Sequence, residues 1–142
     1  MTDNQLDVQE IFRAAPFIAL LGIELESVVR GECRTRLRLR PEHLQQNGVV
    51  HAGVIATIAD HTAGGAGGSV LDSDSYPLTA EFNINLLRAA SGEYLTCHAR
   101  VLKPGRTLIV AESEVFAGGA AQPILVAKAL ITLAVLASRK EA

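Results

Sequence analysis

The sequence predicts one α+β domain, a curved antiparallel sheet wrapped around a single long central helix. Three observations carry that expectation. A helix-periodic stretch from Val50 to about Val70 is made largely of small residues, four long strand-like segments follow it, and short turn-forming dipeptides separate those segments. A chain of 142 residues is large enough for a full hydrophobic core and too small for two, so a single domain over residues 1–142 is expected.

Taken in order, Val8, Ile11, Phe12 and Ala15 have the spacing of a short amphipathic helix that Pro16 stops, within an N-terminal cap segment over residues 1–20. Ile23 to Val29 and Glu32 to Arg40 flank Arg30-Gly31 and read as a β-hairpin. The second arm alternates, with Cys33, Thr35, Leu37 and Leu39 on one face and Arg34, Arg36, Arg38 and Arg40 on the other; the arginine row reads as the solvated side of a strand. In the central helix Val50, Val54, Ile55, Ile58, Ala59, Thr62 and Ala63 recur at three and four residues. Gly64 to Gly68 continue or end it, and the lack of large side chains lets neighbouring backbone approach closely. After a loop from Leu71 to Pro77 come strands Leu78 to Arg88, Glu93 to Leu102, Arg106 to Phe116 and Ile124 to Leu136, with turns at Ser91-Gly92, Pro104-Gly105 and Gly118-Gly119. Strands joined by such short turns run antiparallel, because a parallel crossover needs a dozen or more residues, so only the central helix is expected in a long crossover. Such a sheet has edges, and strand Leu78 to Arg88 or its neighbour is expected to pair with another subunit in a homo-oligomer.

Composition removes several classes of function. With 13 basic and 15 acidic residues, a net charge of -2 gives no general attraction to nucleic acid or to an anionic membrane. Cys33 and Cys97 lack metal-ligand spacing, and Thr2 to Glu10 is polar and acidic, so a cytoplasmic protein with reduced thiols is expected. The apolar run Ala129 to Ala137, interrupted by Thr132, falls far short of the roughly 20 residues a membrane span needs and reads as a buried strand. His43 and His98 have no partners by spacing, no metal is expected, and no cofactor is implied. The glycine run Gly64 to Gly68 lacks the spacing of a phosphate loop and closes a helix rather than opening one.

The chemistry concentrates in Gln45-Gln46-Asn47-Gly48-Val49-Val50-His51-Ala52-Gly53 and the helix behind it, which carries one acid, Asp60. A lone carboxylate in an uncharged stretch costs free energy unless something uses it, which marks Asp60 as a candidate base; with an ordinary pKa it is ionised at neutral pH. The helix start near His51 offers unpaired N–H groups and about half a positive charge, a ready site for an oxyanion. Asp60 lies nine residues after His51. That places it roughly 13 Å along the axis, too far for both groups to serve one substrate atom within one subunit. An imidazole at a helix start more often caps backbone than acts as a base, and His61 diverges from Asp60 by about 100°, so the two form no dyad. Gln45 and Asn47 also suit a turn before a helix, and Thr79 also suits a β-branched strand filler.

The string Gln-Asn-Gly-Val-Val-His-Ala-Gly-Val-Ile-Ala-Thr-Ile-Ala-Asp, with Lys103-Pro-Gly-Arg106 between two later strands, resembles the hot-dog-fold thioesterases of the phenylacetic-acid-degradation type. Their pattern is His-Gly-Gly with the catalytic acid nine residues after the histidine, and the likeness covers nearly the whole chain after the N-terminal helix. The resemblance implies an acyl-CoA thioesterase that is a dimer or a dimer of dimers. The acid of one subunit would face the helix start of the other, and the N–H of Ala52, where relatives carry glycine, would receive the thioester carbonyl. Gln45 stands where many relatives have an asparagine that orients water or carbonyl, and Thr79 where a hydroxyl steadies the acid. The candidate catalytic set is therefore Asp60, Ala52, Gln45, Thr79 and His51. Candidate substrate-binding residues are Asn47 and Gly53, with Arg88, Lys103 and Arg106 for the nucleotide. Small residues Ala56, Ala59, Ala63 and Ala66 are expected to leave room for a bulky or aromatic acyl group. Two other readings stay open: an acyl-thioester hydratase or dehydratase, and a non-catalytic module that binds acyl-CoA.

Overall fold

The computed structural model describes residues 7–119 and 122–138, so the first six residues of the expected cap segment lie outside the described residues. The elements are α1 (Val8–Ala14), α2 (Pro16–Leu21), β1 (Glu24–Val29), β2 (Glu32–Arg38), a 3-10 turn (Pro41–His43), α3 (Ala52–Gly68), β3 (Ser75–Leu86), β4 (Tyr94–Lys103), β5 (Leu108–Gly118) and β6 (Ile124–Ala137). Asp7 caps α1 by accepting from the N–H groups of Gln9 and Glu10. Pro16 ends α1 as expected and also starts a second helix, which the periodicity did not show. Ala15 adopts the extended backbone that a following proline demands, and Pro16 then occupies the first turn of α2, where its missing N–H is no loss. Gly22, at φ 90, closes α2 by donating its N–H to Ile18 O.

All pairs in the six-stranded sheet are antiparallel, in the order β1-β2-β4-β5-β6-β3. The central helix is therefore not the sole crossover. The link over residues 87–93 carries the chain from β3 at one edge, past β6 and β5, to β4; three strand spacings, roughly 14 Å, lie well within the reach of seven residues. β3 is an edge strand, as expected for Leu78 to Arg88, and it exposes Tyr76, Leu78, Phe82 and Leu86. Its register against β6 shifts between Thr79 and Glu81, a bulge that lets Thr79 (opposite Leu133) and Phe82 (opposite Ile131) face the same side.

The sheet wraps α3 tightly. Ile58, Ala59, Thr62, Ala63 and Ala66 are fully buried. Their polar neighbours are satisfied: Thr62 Oγ1 donates to Ile58 O (2.6 Å) and accepts from Thr35 Oγ1 (2.6 Å), and Ser113 Oγ donates to Ala59 O (2.7 Å). Cys33 and Cys97 are free buried thiols, both pushed up to about 12 chiefly by burial and hence unreactive at neutral pH. On the outer face, the Arg36 guanidinium stacks 3.6 Å over the Tyr94 ring and Arg38 Nη1 donates to Tyr94 Oη (3.1 Å), so the arginine row packs along the surface of the sheet.

Candidate active site

α3 is buried on every side but one. Ala56, Thr57, Asp60, His61 and Gly64 form its only partly open stripe, a consequence of the 3.6-residue repeat meeting a sheet that does not close over the helix at the β3 edge. Asp60 sits mid-stripe. Thr79 Oγ1 donates to Asp60 Oδ1 at 2.6 Å, which brings these two candidate residues together. Burial raises the Asp60 carboxyl above the usual aspartate range and the Thr79 bond pulls it back. The acid is therefore shifted upward, where an ordinary aspartate was expected.

Two clefts meet at Asp60. One, of about 430 Å³, is lined by Ala15, Phe17, Ile18, Ala56, Thr57, Asp60, His61 and Phe82. The other, of about 370 Å³, is lined among others by Ile11, Asp60, His61, Gly64, Tyr76, Leu78 and Thr79. His61 makes no hydrogen bond to Asp60; its ring packs edge-on against Phe12 at 4.3 Å, and burial lowers its pKa to about 4, leaving a neutral imidazole at pH 7. It nonetheless lines both clefts, a role that the divergence of adjacent helix positions concealed. Of the alanines expected to make room for an acyl group, Ala56 faces a cleft, whereas Ala59, Ala63 and Ala66 are sealed against the sheet and make none.

The second group of residues assembles at the start of α3. Gln45 N–H donates to Val49 O and Gly48 N–H to Gln45 O, and the Gln45 side-chain oxygen accepts from Asn47 N–H; Gly48, at φ 83, completes the turn. Gln45 and Asn47 are thus joined to each other in the turn. His51 caps the helix, its Nδ1 accepting from Gly53 N–H at 2.8 Å, which requires the proton of the neutral ring to sit on Nε2. A side chain at residue 53 would press on that ring, with a Cβ 3.0 Å from His51 Nδ1, so Gly53 serves the cap. His43, expected to be without partners, is a buried strut: Nδ1 accepts from Arg40 N–H, Nε2 donates to Leu21 O, and its carbonyl accepts from His51 N–H. Val50 N–H donates to Ala90 O, which ties the helix start to the β3–β4 link. Ala52 is exposed, and its N–H makes no hydrogen bond among the described residues.

Arg88 belongs to this end. It lines a shallow cleft with Val50, Ala52 and Leu86, and its Nη1 donates to Leu125 O. Lys103 and Arg106 lie at the β4–β5 turn, at the opposite end of the sheet. The single chain thus holds its acid and its helix start apart, with cationic candidates near both ends. Among the described residues no group of His, Cys, Asp and Glu could hold a metal ion.

A family model described as the Thioesterase superfamily matches residues 47–124, from the turn at Asn47 through the start of β6. The chain belongs to the thioesterase superfamily. It is similar to a thioesterase family protein from Silicibacter pomeroyi at 32% identity and a TM-score of 0.90, over 92% of this chain and 96% of that one. A Saccharolobus solfataricus protein that carries an esterase name is 29% identical over 89% of this chain and 81% of its own length. A Listeria monocytogenes protein named 1,4-dihydroxy-2-naphthoyl-CoA hydrolase is 26% identical over 67% of this chain and 77% of its length. The sheet, its wrapped helix and these neighbours establish the hot-dog fold of a thioesterase.

Proposed function

We propose that this protein is an acyl-CoA thioester hydrolase of the phenylacetic-acid-degradation type, working as a cytoplasmic dimer or dimer of dimers of its single domain. The observation that carries the reading is the Thr79–Asp60 bond, which fixes the sole acid of α3 where two clefts meet on the helix's open stripe. Oligomerisation supplies the missing half. Pairing at the exposed β3 edge would bring the Ala52 N–H of a second copy to the Asp60 of the first, giving two composite sites per dimer.

In such a site the thioester carbonyl accepts from Ala52 N–H, at the positive end of the α3 dipole. Asp60, ionised, takes a proton from water as the water oxygen attacks the carbonyl carbon; collapse of the tetrahedral intermediate breaks the C–S bond, and the thiolate leaves with the proton that Asp60 returns. Direct attack by the carboxylate, with an anhydride that water then opens, uses the same placement. Gln45, Asn47, His51 and Gly53 hold the helix start in position, and Arg88, Lys103 and Arg106 offer cations to the phosphates. The Listeria relative carries the name of a hydrolase of an aromatic acyl-CoA, which supports an aromatic acyl group as a substrate to test here.

The test is thiol release from short, medium-chain and aromatic acyl-CoAs by wild type and Asp60→Asn. Asp60→Asn should abolish turnover, and retention of more than about a tenth of the rate would count against the assignment. Its folding control has a defined sign. Because the folded pKa of Asp60 lies above its unfolded value of about 3.9, its stabilising contribution is present below that pH and is lost as pH rises through the folded value. Asp60→Asn should therefore melt no lower than wild type at pH 7. Hydration of an enoyl thioester without thiol release would instead support the hydratase reading, and tight binding without any reaction the carrier reading.

A further inference from the structure

Three glycines in the last turns of α3 have different surroundings. A methyl group on Gly65 would come within 2.7 Å of Cys33 Sγ and 3.1 Å of Phe12 Cε2, and one on Gly67 would overlap Leu133 Cδ1. A methyl group on Gly64 would meet nothing within 4 Å. Close packing therefore accounts for glycine at residues 65 and 67 and leaves residue 64 unexplained. Gly64 has ordinary helical backbone, so it also needs no left-handed conformation, and glycine weakens a helix interior relative to alanine.

Gly64 lies one turn beyond Asp60 on the same face and lines the 370 Å³ cleft. Apart from Asp60, His61, Tyr76 and Thr79, the walls there are apolar, with Ile11, Leu78 and Leu133 among them. Such a wall suits a hydrocarbon and not the polar pantetheine or phosphates. We propose that Gly64 is a specificity-determining residue: its missing side chain keeps open the pocket that receives a bulky apolar acyl group, an aromatic ring or branched chain, beside the carboxylate. This rests on the hydrolase reading for the reaction and on the cleft geometry for the pocket.

The experiment compares wild type, Gly64→Ala and Gly64→Leu in the full chain, using acetyl-CoA and phenylacetyl-CoA as substrates. Stable CoA thioethers bearing a methyl or a 2-phenylethyl group serve as binding probes, and melting temperature and size in solution are measured alongside. Gly64→Leu should lower kcat/KM for phenylacetyl-CoA by about tenfold or more while acetyl-CoA changes by less than about threefold, with Gly64→Ala between them. Thioether binding should shift in the same sense, and Gly64→Ala should melt above wild type. An equal loss on both substrates, an unchanged ratio, or a loss that accompanies a changed oligomeric state would overturn the proposal, the last by assigning the open space to a second subunit. If wild type released no thiol while Gly64→Leu still lost only the phenylethyl thioether, the hydrolase reading would fail and the pocket assignment would stand.

Discussion

On the side of α3 that faces the sheet, Ile58, Ala59, Thr62, Ala63 and Ala66 are completely buried, every hydroxyl has a partner, and glycines admit Cys33 and Leu133 to the helix axis. On the opposite side, Ala56, Asp60, His61 and Gly64 border clefts, a carboxyl is held above its usual range, and His61 Nε2 is buried without a hydrogen-bond partner among the described residues. The same small residue types thus do opposite things one turn apart. Towards the sheet they let protein in; towards the clefts they keep protein out. The first side is packed for stability, and the second gathers the shifted and unsatisfied polar groups that the proposed chemistry would use.

The largest effect that sharpens this contrast is expected at the helix start. Ala52→Pro deletes the free N–H, yet proline is welcome in the first helical turn and His51, at ψ 136, already has the backbone that precedes a proline. Turnover should fall by about 10²–10³ with little change in melting temperature. Mixing the Ala52→Pro and Asp60→Asn proteins under exchange should restore about a quarter of wild-type activity, because half of randomly formed dimers are mixed and each holds one intact site. No recovery on mixing would show that the two half-sites do not combine across subunits.

A smaller effect probes the closed side. Gly67→Ala places a methyl group against Leu133; overpacking of about 1–3 kcal/mol opposes a helix-propensity gain of roughly 0.8–1 kcal/mol, so a net loss of up to about 2 kcal/mol is expected in denaturant unfolding. Its sign is opposite to that of Gly64→Ala. A stabilised Gly67→Ala protein would erase the distinction between the two sides.

The smallest expected effect is a pH shift. Thr79→Val removes the bond that holds the Asp60 carboxyl down and leaves burial to raise it further. The acid limb of kcat/KM, which in wild type should already lie above an ordinary aspartate's pKa, should move to higher pH, with the plateau nearly unchanged. A limb that stays in place would remove Thr79 from the tuning of the acid.

Much of this was legible in the residues. Period-2 alternation, the turns at Arg30-Gly31 and Pro104-Gly105, and a small-residue helix were enough for the fold class, and the spacing from His51 to Asp60 singled out the two places on which the proposed site draws. The partner of β3 was not legible, since nothing local in residues 87–93 states which strand lies across the sheet. The alanine expectation failed because periodicity defines a face without saying which face meets the sheet. The missing signal was Asp60 itself: a carboxylate must sit on the open side, and its neighbours at four residues, Ala56 and Gly64, share that side. The partners of His43 lay beyond any spacing rule, because α2 and the 3-10 turn meet only in three dimensions.

The bulge at Ala80 has an electrostatic meaning of its own. In an uninterrupted strand Glu81 would follow Thr79 on the same face and direct a second negative group towards the helix, driving the acid's titration still higher. One extra residue turns Glu81 outward and seats Phe82 in its place. A single-residue change of phase in the backbone thereby spares the Asp60 carboxyl a like charge.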